Sequence, residues 1–127
     1  MIGDIYMTKT DKIAIITGAG SGVGKASSVA LAAEGWTLVL AGRRPEPLNE
    51  VASEIEAFGG KAIAIPTNVG DPVSVHELFQ TIQSRYGRLD LLFNNAGTNA
   101  PGASLEELTY EQWINVVSIN LTGVFLC

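Results

Sequence analysis

Residues 17–24 read Thr-Gly-Ala-Gly-Ser-Gly-Val-Gly, and this glycine-rich stretch decides the fold. It follows a short apolar run at residues 12–16, whose β-branched side chains are typical of a buried parallel strand. It precedes an alanine-rich run at residues 25–35, which predicts a helix that ends at a glycine. Glycines in such a turn allow close approach of a pyrophosphate, and the helix offers its free N–H groups and positive dipole end.

The spacing of these glycines distinguishes three kinds of phosphate loop. The dinucleotide pattern G-x-G-x-x-G fails, because it would need glycine at Val23 or at Lys25. The ATPase pattern G-x-x-x-x-G-K-[ST] nearly fits at Gly24 and Lys25. That pattern also requires glycine at Ala19 and a hydroxyl residue at Ala26, so it fails twice. The pattern T-G-x-x-x-G-x-G fits the whole stretch.

The rest of the chain alternates strands with helices. Further strands are predicted at residues 36–41, 62–66 and 89–93, and further helices at residues 47–58, 72–86 and from 109 onward. This alternation predicts an α/β fold, a doubly wound parallel sheet covered by helices on both faces. Two capping-box patterns, Ser104 with Glu107 and Thr109 with Gln112, compete as the start of the last helix.

Composition and charge exclude several classes of function. A net charge of −5 argues against a nucleic-acid partner, and no apolar run approaches the ~20 residues of a membrane span. The single cysteine, Cys127, excludes an internal disulfide and fits a cytoplasmic protein. The sequence has no cluster of Cys and His residues, so no metal site is predicted. His76 lies in a polar helical pattern that is typical of a surface residue. Residues 1–11 have no apolar core, so we expect a disordered leader and no secretory signal.

A second motif, Asn-Asn-Ala-Gly at residues 94–97, follows the fourth predicted strand. With residues 17–24 at the expected interval, the chain resembles the short-chain dehydrogenase/reductase family. The resemblance covers residues 12–127 and only the first half of a typical member, so the chain looks like a fragment. It implies a Rossmann fold with strand order 3-2-1-4, whose fourth strand lies at an edge. It also implies hydride transfer between a nicotinamide cofactor and a small alcohol or ketone substrate.

The resemblance also assigns the cofactor-binding residues. They are Gly18, Ser21, Gly22, Val23, Gly24, Arg43, Arg44, Asn68, Val69, Asn95, Ala96 and Gly97. Gly42 stands where an acid would bind the ribose of NAD, and the two arginines after it suit the 2′-phosphate of NADP. We therefore expect NADP as the preferred cofactor and NAD as the alternative. Asn68 replaces the aspartate that the family usually places near the adenine, but it keeps an acceptor oxygen.

Asn120 of this chain matches the catalytic asparagine of the family. The resemblance implies that Asn120 holds a water molecule of a proton relay. The other interpretation is an asparagine that caps a local kink beside Gly123. The family's chemistry also needs a Tyr-x-x-x-Lys pair and a preceding Ser, and this constellation is missing. Tyr6, Tyr86 and Tyr110 have no lysine four positions later.

Two hypotheses follow for the function. The first is the cofactor-binding half of an oxidoreductase, and the second is a truncated, inactive nucleotide-binding protein or interaction partner. In the family, the helix that begins near Thr109 commonly pairs across a dimer interface. We therefore expect a homo-oligomer, a dimer or tetramer, for the intact protein.

Overall fold

The computed structural model describes residues 12–127, so the expected leader at residues 1–11 lies outside it. Its sheet has four strands, β1 (Ile13–Thr17), β2 (Thr37–Gly42), β3 (Lys61–Pro66) and β4 (Leu91–Phe93). Every pair of neighbouring strands is parallel, and the order is β3-β2-β1-β4. This arrangement confirms the predicted doubly wound α/β fold and its strand order.

Helices connect the strands and continue after β4. They are α1 (Gly22–Ala33), α2 (Pro45–Ala57), α3 (Pro72–Tyr86), α4 (Tyr110–Val117) and α5 (Gly123–Leu126), with a 3₁₀ turn at Leu105–Glu107 and a π-helical segment at Ser118–Thr122. Helix α2 begins at Pro45, earlier than predicted, because proline suits the first helical position. Helix α3 begins as predicted, since the carboxylate of Asp71 accepts a hydrogen bond from the N–H of Val73. Within residues 12–127, no helix is long and apolar enough to cross a membrane.

The core lies on both faces of the sheet. On one face, Leu38 and Leu40 of β2 pack with Leu48 and Ile55 of α2. On the other face, the two central strands pack against α3 through a set of buried side chains: Ile13, Ile15, Val39, Ala41, Leu78 and Ile82. Each fully buried aliphatic side chain contributes about 1.5–3 kcal/mol, so this double layer fixes the strand ends that form the site.

Strand β4 begins at Leu91 and not at residue 89, because Asp90 pairs with β1 through its side chain. Its carboxylate accepts the N–H of Ile13 at 2.8 Å, while its own N–H donates to the carbonyl of Ile13 at 2.9 Å. Hydrogen bonds from Arg88 and then from Ile13 hold the pKa of the Asp90 carboxyl below its usual range. The pair ties the start of β4 to the start of β1.

Both predicted capping boxes form, so they do not compete. Ser104 and Glu107 close the 3₁₀ turn. Thr109 accepts the N–H of Gln112 at 3.1 Å and donates its own N–H to that side chain at 3.0 Å, which starts α4. A turn this short can precede a helix directly, and the sequence pattern gives no measure of helix length.

Candidate functional site

A cleft of about 480 Å³ lies at the carboxyl ends of the strands, beside the point where the strand order reverses between β1 and β4. The residues that line it are Gly18, Gly20, Ser21, Gly42, Arg43, Arg44, Pro47, Leu48, Thr67, Val69, Ala96, Gly97 and Ile119. Seven of the residues predicted from the sequence are among them. Five others do not line the cleft: Gly22, Val23, Gly24, Asn68 and Asn95. They lie in the same segments of the chain as lining residues.

The glycine turn between β1 and α1 needs its glycines for two different reasons. Gly18 and Gly22 have φ of +65° and +55°, a backbone conformation that residues with a side chain rarely adopt. Gly24 has an ordinary φ, but a Cβ there would overlap the carbonyl oxygen of Gly18 and lie 2.6 Å from Nδ2 of Asn95. Gly24 therefore allows α1 to pack directly on the turn. Ser21, the N-cap of α1, is exposed and makes no capping bond with its side chain.

Thr17 fastens this turn to the loop after β4. Its hydroxyl accepts the N–H of Asn95 at 3.0 Å and the N–H of Ala96 at 2.9 Å, and it donates to the carbonyl of Phe93 at 3.3 Å. In return, Nδ2 of Asn95 donates to the carbonyls of Thr17 and Gly18 at 3.1 and 3.3 Å. These bonds place the two predicted motifs, about 78 residues apart in the chain, side by side.

Arg43 and Arg44 are exposed at the rim of the cleft, after the end of β2. Arg44 is the N-cap of α2, whose first turn contains Pro45, Glu46 and Pro47. The two prolines have no N–H, so the first turn of α2 offers few backbone donors. Positive charge at this rim therefore comes from the two guanidinium groups.

Asn68 and Val69 follow β3 and take different positions. Oδ1 of Asn68 accepts the N–H of Gly70 at 3.0 Å, which fixes the orientation of its amide, and the side chain is exposed. Val69 is buried and borders the cleft. A Cβ on Gly123 would lie 2.8 Å from Cγ2 of Val69, so the loop after β3 packs against the last helical segment.

Asn120 lies in the π-helical segment and holds the loop after residue 97. Its Oδ1 accepts the N–H of Thr98 at 2.8 Å and its Nδ2 donates to the carbonyl of Thr98 at 2.9 Å. The side chain is exposed and its amide group is engaged at both ends. Such π-helical segments often occur at functional sites, and this one brings Ile119 to the cleft.

Several lining residues escaped the sequence analysis. Pro47 and Leu48 belong to the first turns of α2, and Thr67 joins the end of β2 through its N–H, which donates to the carbonyl of Gly42 at 2.7 Å. No local pattern marks Ile119, because only packing of a distant helix brings it to the cleft. Gly20 lies within the glycine motif, and this position is the sequence signal that marks it.

The described residues contain no group of three or more His, Cys, Asp and Glu side chains that could hold a metal ion. His76 is exposed on α3, as its polar surroundings in the sequence predict. Cys127 is half-buried, and this burial raises the pKa of its thiol. A thiol with a raised pKa is a poor nucleophile near neutral pH.

Comparisons with known proteins agree with this geometry. The model of the short chain dehydrogenase family matches residues 12–127. Cyclohexanol dehydrogenase of Acinetobacter sp. (strain SE19) is 41% identical over 115 residues, which are 91% of this chain and 46% of that enzyme. The chain spans about half the length of the curated relatives it matches.

Solved structures share the fold and were determined with two different cofactors. A metagenomic short-chain oxidoreductase in complex with NADP is 30% identical, with a TM-score of 0.89 over 91% of this chain and 52% of that one. A short chain dehydrogenase/reductase from Burkholderia phymatum in complex with NAD is 36% identical, with a TM-score of 0.87 over 91% of this chain and 41% of that one. From its motifs, its fold and the extent of the family match, the chain is a member of the short chain dehydrogenase family.

Proposed function

We propose that residues 12–127 form a nicotinamide-nucleotide-binding domain of a short-chain dehydrogenase/reductase, with NADP(H) preferred over NAD(H). One observation carries the proposal: a single cleft joins the glycine turn to Arg43 and Arg44, and Gly42 leaves no carboxylate between them. Guanidinium groups bind phosphate through paired donors, whereas a carboxylate there would repel it. Related structures with NADP and with NAD support a nucleotide of this class.

The backbone conformation of the glycine turn supports binding of the diphosphate there. Gly18 and Gly22 hold left-handed backbone, and Gly24 brings the start of α1 against the turn, where the free N–H groups of a helix start favour an anion. We assign the remaining contacts by position: Arg43 and Arg44 to the 2′-phosphate, Asn68 and Val69 to the adenine, and Asn95, Ala96 and Gly97 to the nicotinamide ribose. Asn68 would offer its Nδ2 and the second lone pair of Oδ1, since Gly70 occupies the first.

When bound, the nicotinamide ring supplies or accepts the hydride that converts a ketone and an alcohol into one another. In this chain, Asn120 positions the loop at Thr98 beside the cleft, which is the role its contacts support. We infer that its backbone carbonyl, and not its engaged amide, would hold a water of a proton relay. The proposed substrate is a small-molecule alcohol or ketone, by analogy with relatives such as cyclohexanol dehydrogenase.

No tyrosine of this chain has a lysine four positions later, so we expect residues 1–127 to bind NADPH without oxidising it. The measurement is NADPH absorbance in the presence of a broad ketone panel. A steady loss of absorbance that depends on ketone would show that another group supplies the proton. Binding without turnover agrees equally with the second candidate function, an inactive nucleotide-binding protein or interaction partner.

The exposed surface of α4, the π-helical segment and α5 supports association of the intact protein. Tyr110, Trp113, Leu121 and Phe125 are each more than half exposed in the part of the chain described. Apolar side chains grouped on one helical region favour burial against another surface. A homo-oligomer is therefore proposed for the intact protein, and a cytoplasmic location stays a prediction.

Cofactor preference is tested by Arg43→Ala. Loss of a charge-assisted contact should cost about 1.5–3 kcal/mol, so NADPH should bind roughly tenfold to a hundredfold more weakly. NADH should be little affected, because it has no 2′-phosphate. Titration calorimetry with both nucleotides measures the difference, and Arg85→Ala, an exposed arginine outside this cleft, is the matched control. An equal loss for both nucleotides would contradict a 2′-phosphate role for Arg43.

A further inference from the structure

The first turn of α2 is wedged against the glycine turn. A methyl group on Gly20 would lie 2.9 Å from Cβ of Pro47, closer than carbon atoms pack. Leu48, only 1% exposed, lies beside it, with Cδ2 at 3.8 Å from the same point and 3.2 Å from a Cβ built on Gly42. Pro47 and Leu48 therefore occupy the space between the glycine turn and the segment at residues 42–44, which carries the two arginines.

This contact explains a glycine that backbone geometry does not require. Gly20 is absent from the glycines with positive φ, so alanine could adopt its conformation. Its neighbours in the turn differ, since Gly18 and Gly22 need their left-handed backbone. Gly20 therefore lacks a side chain because Pro47 occupies the space that a Cβ would need.

The two sides of the contact are held with different strength. The N–H of Ala19 donates to the carbonyl of Ala41 at 3.2 Å, and Thr17 ties the same turn to the loop after β4. The first turn of α2 has no side-chain cap at Arg44, and its prolines donate no hydrogen bonds. A side chain at Gly20 would therefore displace the start of α2 more than the glycine turn.

We infer that Pro47 is a positioning residue for cofactor choice: its contact with Gly20 sets the distance between the glycine turn and Arg43 and Arg44. The inference rests on the proposed binding of the 2′-phosphate at these arginines. A displacement of the α2 start moves both guanidinium groups relative to the diphosphate. This displacement should weaken the binding of NADPH, which needs both the glycine turn and the arginines. The binding of NADH should stay nearly unchanged.

The test compares Gly20→Ala with the wild-type chain in titrations with NADPH and NADH. We expect at least about tenfold weaker NADPH binding, the size of one lost charge-assisted contact, and less than about threefold weaker NADH binding. Gly102→Ala is the control, because Gly102 has open space around its Cβ position and no positive φ. It should change neither affinity.

A double variant identifies Pro47 as the cause. Pro47→Gly removes the opposing Cβ, so Gly20→Ala should weaken NADPH binding and lower stability less in that background than in the wild type. If Gly20→Ala alone fails to fold, Pro47→Gly should restore folding, and failure of this rescue would overturn the inference. Equal penalties in both backgrounds would also overturn it.

The outcomes separate this inference from the proposed function. A wild-type chain that binds NADPH and NADH equally would contradict the proposed function at Arg43 and Arg44. A wild-type preference for NADPH, with equal loss of both nucleotides in Gly20→Ala, would contradict the role of Pro47 alone. Coupling between Gly20→Ala and Pro47→Gly in urea unfolding measures the contact itself without any nucleotide.

Discussion

Gly24→Ala is expected to lower the free energy of unfolding by about 3 kcal/mol and to abolish nucleotide binding. The added Cβ would overlap the backbone carbonyl of Gly18 and lie 2.6 Å from Nδ2 of Asn95. A backbone oxygen cannot rotate away as the end of a long side chain can. Relief would require α1 to move off the glycine turn, which would break the geometry proposed to hold the diphosphate.

Urea unfolding and NADPH titration measure the two effects of Gly24→Ala. The control is Gly102→Ala, which meets no atom within 4 Å and should unfold like the wild type. Alanine also has the higher helix propensity, so propensity alone predicts that Gly24→Ala stabilises α1 by about 1 kcal/mol. A stabilised variant that still binds NADPH would show that α1 and the turn are not in direct contact.

Thr17→Val should cost about 1–3 kcal/mol of stability while preserving the shape of the side chain. Thr17 is 1% exposed, and its hydroxyl is the acceptor for the N–H groups of Asn95 and Ala96. Valine leaves the N–H of Ala96 without that partner, whereas the N–H of Asn95 keeps the carbonyl of Phe93 at 3.0 Å. An unpaired donor costs about 1–3 kcal/mol. Urea unfolding at constant m-value measures the loss.

Two variants control for the change at Thr17. Thr17→Ser keeps the hydroxyl and removes one methyl group, so it should cost less than valine. Thr81→Val removes an exposed hydroxyl that donates to the carbonyl of Glu77, and it should be close to neutral. If serine proves as damaging as valine, methyl packing and not the hydrogen bonds would hold the two motifs together.

The loss of the Thr17 hydroxyl should also weaken nucleotide binding. Its bonds fix the loop of residues 95–97 against the glycine turn, and we propose that this loop contacts the nicotinamide ribose. We therefore expect Thr17→Val to weaken the binding of NADPH and NADH equally, in contrast to Arg43→Ala. The comparison of the two variants separates the shared part of the nucleotide from the 2′-phosphate.

Much of the fold followed from local signals. β-Branched runs marked the strands, Asp71 with Pro72 marked the start of α3, and the residues at 17–24 marked the turn. The errors lie at ends of elements. The start of β4 depends on Asp90 pairing with Ile13, a contact 77 residues distant that no local pattern contains. The π-helical segment at Ser118–Thr122 also had no distinctive signal, although Asn120 was singled out.

The sequence by itself determined the order of strands and helices, the glycine turn and the family, since each rests on spacing between neighbouring residues. Only the tertiary structure decided which residues meet: Thr17 with Asn95, Gly20 with Pro47, and Asn120 with Thr98. The physical reason is that periodicity and turn chemistry report local backbone preference. Hydrogen bonds and close contacts between distant segments depend on how the parallel sheet brings their ends to one edge.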